Sequence, residues 1–367
     1  RSTLFPYTTL FRSQPLNRQL LTVFDCETGE LEARAVAQEI QTLSSTYNYS
    51  QMAILYRTNA QSRSFEEALS RLAIPYQLIG GFKFYERKEI KDALCYLRLV
   101  VNPHESVSLQ RALKIGKRRY GKFTEFREKL LANPDTNPGT LPPAEILAKI
   151  LEITDYQKLY DQSEPEDAAK LENIAELLAY AKQFSTLNRF LENIALVQDG
   201  TDLDGKKNQD NKRDGVFLMS LHSAKGLEFE VVFLVGMEDN LFPHARSFFD
   251  PEQLAEERRL CYVGITRAKE KLYFSHARKR WSYSGINNAC RSCFLDDLNP
   301  DLLEVKFLQT SGNDYRRHFF STENQPPRFY PKSKITPPIQ ERHLDLSDSQ
   351  LDEFLSGDLD AKEFLRH

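Results

Sequence analysis

At 367 residues, with 41% hydrophobic and 28% charged side chains, the chain has the make-up of an ordinary soluble protein of two or three domains, with enough apolar material for a core. A formal net charge of -3 excludes a globally basic nucleic-acid coat, so any nucleic-acid contact must come from a local surface. The longest apolar stretch, Val231–Met237, falls far short of the ~20 residues a membrane helix needs, and five cysteines without an even framework read as reduced thiols. These features point to a cytoplasmic protein with no membrane partner.

Residues 1–13 (RSTLFPYTTLFRS) have no partner pattern in the rest of the chain and read as a non-native scar, set aside from fold reasoning. From 14 to 103 strands and helices alternate. LLTVFD at 20–25 reads as a strand, and Leu31, Ala35, Ile40 and Leu43 as a loose helix. Met52–Tyr56 is an apolar run of strand length, and Asn59 is a candidate N-cap for a helix through Leu72. Pro75–Ile79 reads as a strand closed by Gly80-Gly81. Ile90, Ala93, Leu94, Leu97, Val100 and Val101 then recur with helical spacing up to Pro103. This alternation predicts an α/β fold, a parallel sheet covered by helices.

Between 104 and 212 the pattern is helical, with a stripe of Leu171, Ile174, Leu178, Ala181 and Phe184 and no convincing strand. Residues 199–215 form a polar linker. This region predicts an all-helical domain inserted into the α/β domain. The α/β pattern resumes over 213–300. Val216–Leu221 and Glu230–Gly236 are continuous apolar runs, as in central parallel strands buried on both faces. A helix follows over Pro251–Ala268, then a strand over Lys271–His276. Residues 301–367 read as a flexible, proline-rich and then acidic tail, in which Leu351, Phe354 and Leu355 have the spacing to dock on a protein partner.

Two near misses to the phosphate-binding loop occur, Gly116–Phe123 and Gly200–Lys207. Both lack the hydroxyl that would hold Mg²⁺, and neither follows a buried strand. Cys290 and Cys293 form one C-x-x-C with no second pair, which makes zinc improbable, and no metal site is expected.

In open α/β sheets ligands bind beyond the carboxyl ends of the strands. Tyr56-Arg57 ends one strand, and His222 to Glu228 follows another. Glu257-Arg258-Arg259 and Thr266-Arg267 lie on the helix entering the last strand. The expectation is an aromatic, three cationic positions and a carboxylate on one edge of one sheet, where an aromatic can stack on a base and an arginine can grip a phosphate.

The segments ILYRTNAQSRSFEEAL, IPYQLIGGFKFYERKEIKDALCYLRLVVNP, FLMSLHSAKGLEFEVVFLVGMEDNLFPHARS and EERRLCYVGITRAKEKLYF resemble, in order, motifs IV to VI of the UvrD/PcrA/Rep family of superfamily 1 DNA helicases. The resemblance covers about residues 20–300. It implies a second RecA-like domain (2A, 14–103 and 213–300) interrupted by a helical insert (2B, 104–212). It implies ATP with Mg²⁺ as cofactor, the Mg²⁺ ligands coming from a missing N-terminal RecA-like domain. Single-stranded and duplex DNA are the implied partners.

By position, Tyr56 resembles the aromatic that stacks on adenine, Arg57 and Arg267 the arginines on the γ-phosphate, and Glu228 the glutamate on the ribose, with Gly226 in the same loop. His222 and Lys225 resemble residues near the DNA strand. The expected function is that of the C-terminal fragment of an ATP-dependent 3′→5′ helicase that translocates on single-stranded DNA and unwinds duplex, inactive alone. Alternatives are a subunit of a recombination-type helicase-nuclease, or a non-catalytic DNA- or partner-binding module.

The match has departures. Where the family's insert starts K-R-G-I-G, this chain reads Lys117-Arg118-Arg119-Tyr120-Gly121, and the family's S-R-F-L reads Ser292-Cys293-Phe294-Leu295. Lys117 and Arg118 belong either to a DNA-phosphate patch or to a solvated helix face. Phe82, Phe84 and Tyr85 either stack on bases or pack the domain junction, with Phe84 placed among the DNA contacts. Arg258 and Arg259 are expected to pair with Glu256 and Glu257.

Overall fold

The structure is a computed structural model that describes residues 21–132, 136–202, 214–282 and 285–309. The N-terminal scar, the second near-miss phosphate loop (beyond its helical start), most of the polar linker and the tail past 309 lie outside the described residues. No helix among those described is long and apolar enough to cross a membrane.

The chain opens with β1 (Leu21–Thr28), α1 (Gly29–Leu43), β2 (Met52–Tyr56), α2 (Ser62–Arg71) and β3 (Tyr76–Ile79). Five helices follow α3 (Lys88–Val101): α4 (Ser106–Ile115), α5 (Lys117–Leu130), α6 (Pro143–Ile153), α7 (Pro165–Ala181) and α8 (Leu187–Asp202). The α/β part then resumes with β4 (Val216–Ser220), β5 (Phe229–Leu234), α9 (Pro251–Ile265), β6 (Ala268–Ser282), β7 (Gly285–Asn288), α10 (Cys293–Asp296) and β8 (Leu303–Leu308).

The strands form one sheet in the order β3-β4-β2-β5-β6-β1-β8, all parallel, with β7 added antiparallel to β6. Strand β2 sits between β4 and β5, with Ala53 opposite Phe217 on one side and Val232 on the other. Successive side chains of β2 alternate between two cores. Ile54 and Tyr56 pack with Phe65, Leu69, Val36 and Ile40 of α1 and α2. Ala53 and Leu55 pack with Cys261 and Ile265 of α9. Caps fix where these helices begin. Thr28 Oγ1 accepts the Leu31 N–H at 3.2 Å, and Asp250 accepts the N–H groups of Glu252 and Gln253 ahead of α9.

Two features differ from the sequence expectation. Strand β8 lies beyond residue 300 and pairs parallel with β1, from Leu21 opposite Leu303 to Cys26 opposite Leu308. Its sequence, LEVKFL, is half exposed at the sheet edge, so its apolar signal is weak. The helical core also begins before residue 104. Phe84, Tyr85 and both sides of α3 pack with Phe123, Leu147, Ile150, Ile174, Leu177 and Phe190.

Along the carboxyl halves of β1 and β6 the buried carboxylates are paired. Arg280 donates to both Glu32 and Glu238, and Arg278 grips Asp25 with two bonds of 2.7 and 2.8 Å. Burial pushes the Glu238 carboxyl above its usual range, while Arg280 beside it pulls the other way.

Candidate functional site

Arg57 follows the last residue of β2 and emerges at the carboxyl edge of the sheet. The next turn fixes its backbone, because Gln61 Oε1 accepts the N–H groups of Arg57 at 3.0 Å and Thr58 at 2.9 Å. Its guanidinium is bound to Glu257 of α9. Nε donates to both carboxylate oxygens at 3.0 Å, and Nη2 donates to Oε1 at 2.7 Å. Glu257 is buried and also accepts the His244 N–H at 3.1 Å.

His222, exposed just past β4, faces the same cleft. Partial burial and the Arg57 charge hold its imidazole below the ordinary histidine range. The cleft has a volume of about 420 Å³ and is walled by Arg57, Thr58, Asn59, His222 and His244 on one side. Pro165, Ala168 and Glu172 of α7 close the other. His244 Nε2 lies 3.6 Å from Glu172, so the cleft spans the sheet edge and the helical part.

A second group lies at the other end of α9. The helix runs back from the carboxyl edge to the amino edge, where β6 starts beside Phe229. Arg267 sits at that turn. Its Nε donates to Val263 O at 3.0 Å, its Nη1 to Leu227 O at 2.9 Å and its Nη2 to Thr266 Oγ1 at 3.0 Å. All three acceptors are neutral, and a cation at a helix C-terminus is favoured by the helix dipole. Glu228 is exposed next to it, on the segment that crosses from β4 to β5. That segment turns at Gly226, whose φ of +85° is strained for any residue with a side chain, and it exposes Lys225.

The expected convergence of Arg57 and Arg267 on one edge is therefore corrected. Arg57 and His222 sit at the carboxyl edge, whereas Arg267 and Glu228 sit at the amino edge. They are strung along one face of the sheet, on α9 and the crossover. The points on α9 that hold the two guanidinium groups, Glu257 and Val263, are six residues and so about 9 Å apart along the helix axis.

Three further expectations change. Tyr56 is only 1% exposed and belongs to the core on the α1 and α2 side, away from α9. Burial pushes its phenol pKa upward. Any added domain can only bury it further, so it offers no ring face to a base. Phe84 is fully buried, edge-on to Tyr85 at 5.3 Å, and its N–H donates to Glu66 at 3.0 Å, so it serves the domain junction and not DNA. Glu257 goes to Arg57, while Arg258 lies 3.8 Å from Asp297 and only Arg259 pairs with Glu256.

Lys117 and Arg118 are exposed at the start of α5, which packs on α4 and α6. Sequence reasoning missed Glu257 as the Arg57 partner, His244, and Arg87. The last is 8% exposed and donates to Asn59 O, Ser62 Oγ, Phe82 O and Asn173 Oδ1 of α7. Among the described residues no three His, Cys, Asp or Glu side chains gather as a metal-holding cluster.

The family model described as the UvrD-like helicase C-terminal domain matches residues 11–131 and 144–279. The ATP-dependent DNA helicase PcrA of Bacillus subtilis is 38% identical over 318 residues, covering 74% of this chain and 43% of that protein. PcrA of Staphylococcus epidermidis is 35% identical over 357 residues, covering 84% and 47%. UvrD1 of Mycobacterium tuberculosis is 35% identical over 353 residues, covering 78% and 44%. The chain thus spans less than half the length of these relatives. The chain belongs to the UvrD-like helicase C-terminal domain family.

Proposed function

We propose that the chain is the second RecA-like half of an ATP-dependent DNA helicase, carrying its helical insert, and that it works with a first RecA-like domain that binds ATP and Mg²⁺. The observation that carries this reading is the anchoring of two guanidinium groups, Arg57 and Arg267, along one helix of one sheet face, with the Arg267 charge met, among the described residues, by neutral oxygens.

In this reading ATP is the substrate, and it approaches the α9 face. Arg57 exchanges Glu257 for phosphate oxygens, and Arg267 adds a second positive charge. Arginines that stabilise charge on a transferring phosphoryl group are worth about 10³–10⁵ in rate. Glu228, beside Arg267, accepts from a ribose hydroxyl, and the turn at Gly226 lets the backbone approach. The crossover segment carries His222 at one end and Glu228 at the other, so a nucleotide drawn onto this face shifts the loop that bears Lys225. That shift couples nucleotide occupancy to a DNA strand lying along the carboxyl edge. Lys117 and Arg118 on α5 would meet duplex phosphates.

The test is ATP turnover and DNA binding by the purified chain. The reading expects no turnover, with or without DNA, and binding of single-stranded oligonucleotide that weakens as salt rises. Arg57-dependent turnover by the chain alone would overturn it.

A further inference from the structure

Phe82 is 72% exposed, yet the backbone around it is fixed. Its carbonyl accepts from Arg87 Nε at 3.2 Å, and two residues on the Phe84 N–H is held by the buried Glu66 carboxylate. Arg87 is itself locked to Asn59, Ser62 and Asn173. Before Phe82 the chain turns at Gly80, with φ +80°, where an added Cβ would stand 2.9 Å from Ser223 Oγ. The loop bearing Phe82 therefore lies against the loop bearing His222 and Lys225, both exposed. Lys83 adds a further cation, 5.7 Å above the Tyr76 ring. The exposed carboxylate of the segment is Glu86, on the turn after the buried Phe84.

An aromatic ring left in water on an anchored loop, packed against a second loop that exposes a lysine, matches the design of a stacking surface for single-stranded nucleic acid. Such surfaces combine cations for the backbone with a ring face for a base. A rigid ring also loses little conformational entropy on binding.

We propose that Phe82 is a preformed platform on which one unpaired base of single-stranded DNA stacks, with Lys225 and Lys83 holding the adjoining phosphates. The proposal rests on the DNA-binding reading above and gives it a specific ring at the carboxyl edge. Arg87 is a positioning residue, since it touches the Phe82 carbonyl and not the ligand.

The experiment is titration of the chain with a single-stranded oligonucleotide containing one 2-aminopurine, read by fluorescence and repeated over a salt series. The parent is expected to bind and to change the probe signal. Phe82→Ala should weaken binding roughly tenfold, abolish the stacking signal and leave the salt slope and melting temperature unchanged. Phe82→Tyr should restore both binding and signal. Lys225→Ala should lower the salt slope by about 1 while keeping the stacking signal. If the parent binds and Phe82→Ala matches it in affinity and signal, the platform is wrong while the DNA reading stands. If the parent binds no oligonucleotide at low salt, the DNA reading fails and the platform with it.

Discussion

Arg57 and Glu257, two hundred positions apart in the chain, form a two-pronged ion pair that joins the end of β2 to the first half of α9. Glu257 is the more deeply buried partner, its side chain 7% exposed against 22% for Arg57. The pair holds Arg57 at the rim of the cleft.

This relationship fixes the first prediction. Glu257→Gln keeps the shape and one hydrogen bond but removes the charge. It should cost about 1–2 kcal/mol of stability, because a charge-assisted bond becomes a neutral one and Arg57 keeps part of its hydration. Urea unfolding measures this, and a change within a few tenths of a kcal/mol would show that the pair anchors nothing.

The second prediction concerns the joint between the helical part and the loops at the sheet edge. Asn173 of α7 holds Arg87 at 2.7 Å and donates to Glu89 at 2.6 Å. Asn173→Ala removes the α7 contacts to both Arg87 and Glu89. Amide exchange should then speed up roughly tenfold at 58–62 and 82–84 as well as in α7, while α9 and β6 stay protected. Faster exchange confined to α7 would show that the loops do not depend on this contact.

Buried Tyr56 carries the third. Tyr56→Ala should destabilise the chain by about 3–5 kcal/mol, as expected for emptying an aromatic site in a core, with unfolding monitored by denaturant. A loss under 1 kcal/mol would mean that the ring is not part of the core and would restore it as a surface for a base.

His276 gives a pH dependence with a definite sign. It is 5% exposed, its Nδ1 has no hydrogen-bond partner among the described residues, and burial holds its pKa below the ordinary histidine value despite Asp25 at 3.8 Å. Glu32 also raises it, while Arg291 and Arg278 lower it. The unfolded chain therefore binds more protons just below pH 6.5, and stability is lost as pH falls through that window. His276→Gln should flatten the fall below pH 6.5, seen as a smaller drop in melting temperature than in the parent. An identical slope in both proteins would exclude His276 as a source.

The central sheet was legible because its strands are continuous apolar runs. Met52–Tyr56 is marked in the sequence at the ends it has in the structure, and β4 and β5 to within two residues. Strand β8 was not legible, since an edge strand with alternating exposure resembles a polar linker. The family motifs named Arg57, Arg267 and Glu228, but not where they stand. Their placement depends on α9 crossing the whole sheet face, which spacing alone does not reveal. Neither did the pattern GGFKFY say which ring faces water. A tight turn at 84–86 turns Phe84 and Tyr85 into the helical core and leaves Phe82 outside. Pairing of Glu257 with Arg57 was hidden for another reason, because nearest-neighbour charges on the helix suggested Arg258.

ATP turnover stimulated by single-stranded DNA, measured on this chain joined to the first RecA-like domain of a relative such as PcrA, bears most closely on the proposed role of the two arginines. Turnover is expected in the joined protein and none in the chain alone, with losses of about 10³-fold or more on Arg57→Ala or Arg267→Ala. Turnover by the joined protein that is unchanged when both arginines are removed would contradict that role.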